Sequence, residues 1–112
     1  MKGGAKIFFE AEGGAEGDII DNLAEKAVDQ LADAMARDTP EERKQASAAV
    51  IASYKRRARA RADRLGGNGR DRDARFDRHM ARLRRKISHR HTKATNDERA
   101  HWAHVERLVG EG

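Results

Sequence analysis

From Asp18 onward, apolar residues return every three or four positions: Ile20, Leu23, Ala24, Ala27, Val28, Leu31, Ala34 and Met35. Asp21, Asn22, Glu25, Lys26, Asp29 and Asp33 fill the other side, which is the pattern of an amphipathic helix. Asp18 serves as its start, and Asp21 in the first turn suits the positive end of the helix dipole. A second helix opens at Thr39, with Pro40 at the first helical position and Glu42 three residues after the cap, the spacing of a capping box. It is expected to run to about Leu65, where Gly66 supplies a left-handed stop. Its buried face reads as Ala46, Ala49, Val50, Tyr54, Ala58, Ala62 and Leu65. Beyond Tyr54, alanines alternate with Arg56, Arg57, Arg59, Arg61 and Arg64, so this end either projects from the core or meets something negative.

The third helix is expected from Asp71 to about Ser88. Phe76, Met80, Leu83 and Ile87 are spaced four, three and four, a narrow seam suited to pairing with one other helix. Beside the seam run Arg75, Arg78, Arg82 and Arg85. Thr95 and Glu98 form a second capping box, and the last helix continues to Val109 with Trp102, Val105, Leu108 and Val109 on its apolar face. Trp102 reads as a core anchor rather than a stacking platform, because its helical neighbours are apolar.

Two segments fall outside this helical pattern. Lys6 to Glu12, containing Ile7, Phe8 and Phe9 and ended by Gly13 and Gly14, reads as a short strand or as an apolar arm tucked against helices. The best in-chain strand partner is Ile87 to Thr95; without one the strand would pair with another chain. The fold class expected is therefore all-α in the main, a bundle of about four helices with a short N-terminal strand or arm. It forms one domain: 1–17 arm, 18–65 helical hairpin, 66–70 glycine-rich joint, 71–109 basic helical pair. The joint lacks the Lys and Ser/Thr spacing of a phosphate-binding loop.

Composition changes this picture in one respect. Leu, Ile, Val and Phe together are 17 of 112 residues, about 15%, below the ~20% at which high charge begins to favour disorder. Twenty alanines partly fill the gap. A lone monomer is expected to be marginal, completed by a homo-oligomer, a partner or a larger assembly. There is no cysteine, hence no disulfide or thiolate zinc site. No apolar run reaches the ~18 residues of a membrane span, and no signal-peptide core follows Met1, so no membrane association and a cytoplasmic location are expected.

Charge is distributed unevenly. Residues 1–40 carry four basic residues against nine acids, and residues 55–90 carry fifteen against four. Between Asp77 and Asp97 there is no acid, while Arg78, Arg82, Arg84, Arg85, Lys86, Arg90 and Lys93 all fall there. The basic run is open to three explanations: a solvated, arginine-rich helix surface, neutralisation by the acidic first helix or an acidic partner surface, or contact with nucleic-acid phosphates.

Arginine outnumbers lysine seventeen to seven, and its planar fork matches phosphate oxygens. Aromatics are not interleaved with the run, so a base-stacking reader is not indicated. A linker expected over residues 89–95 is too long and basic for a helix-turn-helix. The expectation is association with DNA or RNA through Arg75, Arg78, Arg82, Arg84, Arg85, Lys86, Arg90 and Lys93, with little sequence preference. The competing expectation is a non-enzymatic assembly or inhibitor protein, such as a viral particle component or a mobile-element protein that blocks a nucleic-acid machine.

Candidate chemistry is sparse. His89, His91, His101 and His104 are weak metal candidates, since only one Glu-x-x-His element (Glu98, His101) is present. No cofactor is implied, and no nucleophile or carboxylate pair has a recognisable catalytic setting, so no enzyme is expected.

Overall fold

The computed structural model describes residues 17–110 with their side chains. Four α-helices follow one another: α1 (Lys2–Asp33), α2 (Pro40–Arg64), α3 (Gly69–Lys93) and α4 (Asn96–Glu111), with one 3-10 turn at Ala34–Ala36 between the first two. Among the described residues there is no strand. Lys6–Glu12, where a strand or arm is expected, falls within the span of α1 and outside the residues described with their side chains. Gly17 is already helical, so α1 does not take Asp18 as its start.

The local signals of α2 are all realised. Thr39 accepts a hydrogen bond from the Glu42 amide (3.1 Å), and Glu42 Oε1 accepts one from the Thr39 amide (3.3 Å). At the other end Gly66 and Gly67 have φ of +76° and +92°, left-handed backbone that a side chain would resist. Asn68 then caps α3 by accepting from the Asp71 amide at 2.8 Å, so the helix starts at Gly69, two residues before the expected Asp71. At the start of α4 the Thr95 amide donates to Glu98 Oε1 (3.1 Å), while the Glu98 amide donates to the Thr95 backbone carbonyl (3.0 Å) rather than to its hydroxyl, so half of the expected capping box is formed.

The C-terminal end of α3 corrects two expectations. Residues 87–93 are helical, so Ile87–Thr95 is not a strand, and the seven-residue linker shrinks to Ala94 and Thr95. The linker-length argument against a helix-turn-helix therefore falls. Ser, His and Thr have weak helix propensity, and the Thr92 hydroxyl donates to the Ser88 carbonyl four residues back at 2.9 Å, a bond compatible with the continuing helix. Arg90, His91 and Lys93 also occupy the last turn, where positive charge suits the dipole.

Packing centres on α3. Ion pairs between Asp21, Glu25 and Asp29 and Arg82, Lys86 and Arg90 advance in step, so α1 and α3 run parallel. Contacts of Tyr54 with His79 and of Arg59 with Asp73 make α2 antiparallel to α3. The seam residues Met80, Leu83 and Ile87 are buried, with Phe76 packed beside them. The seam does not serve one helix only, however: α3 packs against α1, α2 and α4 together. Alanines make that possible, since Ala24, Ala58 and Ala62 are fully buried and bring backbones close.

The buried face of α2 also differs from expectation. Ser47, Ile51, Tyr54, Ala58 and Ala62 face inward, whereas Ala49 is exposed, Ala46 and Val50 are half-buried and Leu65 is 58% exposed. The large residue Ile51 sets the inward direction, and the alanines fit on any side. Trp102, Val105 and Val109 close the core from α4, as their spacing implied.

Tyr54 ties α2 to α3 by donating its hydroxyl to the His79 carbonyl at 2.6 Å, and burial pushes its pKa up to about 12. Tyr54→Phe removes this bond while the carbonyl keeps its own helical partner. The expected loss is about 1 kcal/mol of unfolding free energy, read from urea denaturation.

Candidate nucleic-acid interface

The eight basic residues singled out by sequence divide into two groups. The first group is engaged within the chain. Arg82 lies 3.6 Å from Asp21, Lys86 lies 3.2 Å from Asp21 and 3.0 Å from Glu25, and Arg90 lies 2.6 Å from Asp29. Both rows step by four residues, about 6 Å along a helix, so two parallel helices place each acid opposite a cation. Arg82 also reaches the Gly17 carbonyl. Hydrogen bonding to Glu25 holds the Lys86 ammonium above its usual pKa, opposed by burial and helped further by Asp21.

These pairs are partly exposed, with Asp29 62% and Glu25 54% accessible at the side chain. Each is worth about 0.2–1 kcal/mol and weakens with salt. The ladder therefore adds little to the stability of a fold whose α1–α3 packing rests on buried apolar residues. An open groove of about 350 Å³ lies along it, floored by Val28 and edged by Arg85 and His89.

Arg75 is engaged differently. Its Nε donates to the Ala62 carbonyl at 2.9 Å and its Nη2 to the Gly66 carbonyl, so it satisfies one carbonyl in the last turn of α2 and one in the joint that follows. Its role in this structure is that of a cap from a neighbouring helix.

The second group is exposed. Arg78, Arg84, Arg85 and Lys93 all stand at the surface of α3 and take no part in the ladder. Arg78 and Arg85, two turns apart, share the face turned away from the core. On α2, Lys44, Arg56, Arg57 and Arg64 are exposed as well, while Arg59 is held by Asp73 (2.7 Å) and lies over the Phe76 ring at 5.0 Å.

The histidines do not assemble into a cluster. His91 pairs with Glu106 at 3.3 Å, His89 is exposed, and His101 packs edge-on against Trp102. His104 is half-buried on α4. Among the described residues no three His, Cys, Asp or Glu side chains converge as metal ligands would. Nor is any described helix long and apolar enough to cross a membrane.

His101 has a structural assignment instead. Its Nε2 donates to the Leu31 carbonyl in the last turn of α1, at 2.8 Å. Burial lowers its pKa, with a further push from Arg43 on α2, opposed by the Leu31 hydrogen bond and by Glu98. A histidine whose folded pKa lies below its unfolded value takes up its proton more readily when unfolded. Its neutral form thus contributes stability in full above the unfolded pKa of about 6.5, and that contribution is lost as pH falls through the folded value. His101→Gln is expected to flatten this acidic limb in a plot of urea midpoint against pH.

The specific partners of the basic row were not read from the sequence. The signal was present as two rows with the same four-residue step, Asp21, Glu25, Asp29 and Arg82, Lys86, Arg90. Comparison of the chain with protein-family models, with curated proteins and with solved structures gave no match.

Proposed function

We propose that this chain is a non-enzymatic, cytoplasmic helical protein that associates with nucleic acid through backbone phosphates, with little sequence preference. The contacts are made by Arg78, Arg84, Arg85 and Lys93 on α3. The observation carrying this reading is that these four cations remain exposed after the in-chain pairing is complete, on a stretch of chain with no acid between Asp77 and Asp97. Arg56, Arg57 and Arg64 add to the positive field that steers a polyanion toward the molecule. Nothing in the exposed set offers stacking aromatics, in keeping with phosphate contact rather than base reading.

A second reading, an assembly or inhibitor protein working by protein contact, is favoured by one observation: an open trough on the outer side of α1 and α2.

Fluorescence anisotropy of labelled duplex DNA and of single-stranded RNA, titrated with protein, tests the first reading. The expected result is binding that weakens more than about tenfold in the variant Arg78→Gln, Arg84→Gln, Arg85→Gln with helicity unchanged. Absence of binding near physiological salt, or equal binding by the variant, would remove the reading in favour of the protein-contact one.

A further inference from the structure

We propose that the exposed side of α3 lies in the major groove of duplex DNA, an inference that rests on the phosphate-contact reading above and names its partner. The four exposed cations do not share one face. Arg84 and Lys93, nine residues apart, leave the helix in directions about 180° apart, with Arg78 and Arg85 between them. Ala81, Ser88 and Thr92 lie between the same two edges, and their side chains are short. Cations thus stand at both edges of the exposed side, and small residues run along its middle.

The neighbouring helices leave this side open. α1 borders it through Arg82, Lys86 and Arg90, and α4 borders it through His91, which pairs with Glu106. Between those borders the surface belongs to α3, where Arg78, Arg84, Arg85, Ser88, Thr92 and Lys93 are exposed. From Arg78 to Lys93 this stretch is about 22 Å long, and no residue of it is acidic. Asp77, exposed one residue earlier, repels phosphate and marks where the contact begins.

Charge and shape together select the occupant. A single row of phosphates would meet one edge and leave the cation at the other in water. The major groove of B-form DNA has phosphates along both walls, and at about 12 Å wide it admits a helix about 10–12 Å across. The short residues on the midline let the α3 backbone approach the base edges, while Arg84 and Lys93 reach opposite walls.

Duplex RNA fits poorly, because the A-form major groove is deep and narrow. A single strand is held by stacking on aromatic side chains, and the exposed stretch has none. The Ser88 hydroxyl can donate or accept at a base edge, in keeping with little sequence preference.

Fluorescence anisotropy at one salt concentration tests the inference with one base sequence in three forms. These are duplex DNA, duplex RNA, and duplex DNA carrying glucosylated 5-hydroxymethylcytosine, which fills the major groove and leaves the phosphates unchanged. Plain duplex DNA is expected to bind about tenfold or more tighter than either of the others. The variant Ala81→Leu, Ser88→Leu keeps every charge and thickens the midline. With helicity unchanged, it is expected to lose about tenfold in affinity for plain duplex DNA.

Duplex RNA or glucosylated DNA bound as tightly as plain DNA would overturn groove docking, and so would a variant that binds as wild type does. In each of those cases binding that still weakens steeply with salt leaves phosphate contact standing. Failure to bind any of the three near physiological salt would overturn both readings together.

Discussion

Changing Asp21, Glu25 and Asp29 together to Asn, Gln and Asn is expected to tighten binding to duplex DNA by about tenfold or more near physiological salt. The acids occupy Arg82, Lys86 and Arg90 at 2.6–3.6 Å, and a phosphate must compete with them for the same donors. Released from the ladder, three further cations join the four already exposed on α3. The log–log salt slope should then steepen by up to about 2.7, at roughly 0.9 per phosphate.

The fold should survive, because the pairs are partly exposed and α1 is held by Ile20, Ala24, Val28 and Leu31, each no more than 1% exposed. A control with Asp38→Asn, Glu41→Gln and Asp97→Asn changes the net charge equally, at exposed positions away from the ladder. If the control tightens binding as much as the ladder variant, net charge alone governs affinity and the ladder has no part in it.

The largest effect on stability is expected from Leu83→Ala. Leu83 is fully buried on α3, the helix against which the other three pack. Truncation removes its transfer free energy and leaves a cavity that rigid neighbours fill only in part, a loss of about 2–5 kcal/mol. Total stability for a domain of this size is on the order of 5–15 kcal/mol. The chain also has only seventeen Leu, Ile, Val and Phe residues with which to build a core.

The melting temperature should fall by about 10 °C or more. The single tryptophan, Trp102, belongs to the same buried cluster and reports the transition by fluorescence. A melting temperature within a few degrees of wild type would mean that α3 is not the centre of the packing. Arg84→Ala, exposed on the same helix, is the matched control and should change little.

Local chemistry made most of this architecture legible. Thr39 with Glu42, Thr95 with Glu98, and Gly66 each mark a helix end through contacts within three residues, so sequence neighbours determine them. The seam of Met80, Leu83 and Ile87 was equally plain, because large apolar side chains at helical spacing have nowhere else to go.

What failed was the direction of faces built from alanine. In α2, alanines occur on every side, and Ala46 and Ala49 fit the periodicity as well as Ser47 and Ile51 do. Only the packed neighbours decide between them. The end of α3 failed for a related reason. His89, His91 and Thr92 have no strong helix preference, yet α3 continues through them to Lys93.

The candidate site was legible in part. The cations were evident, but their division into engaged and exposed sets was not. Arg90 and Asp29 are sixty-one residues apart in the chain, and their pairing depends on the parallel alignment of α1 with α3. That alignment follows from burial of Val28, Leu31, Leu83 and Ile87 in one cluster. Arg75 shows the same limit, since its partners at Ala62 and Gly66 exist only once the joint has closed.

The central claim is that a small set of exposed cations on α3, and not the whole basic run, meets phosphate. The most direct test is the salt dependence of wild-type binding to duplex DNA, measured by anisotropy over several salt concentrations. Four contacts by Arg78, Arg84, Arg85 and Lys93 predict a log–log slope of about −3 to −4. Binding that does not change with salt, or no binding at the lowest salt, would contradict phosphate contact by these residues.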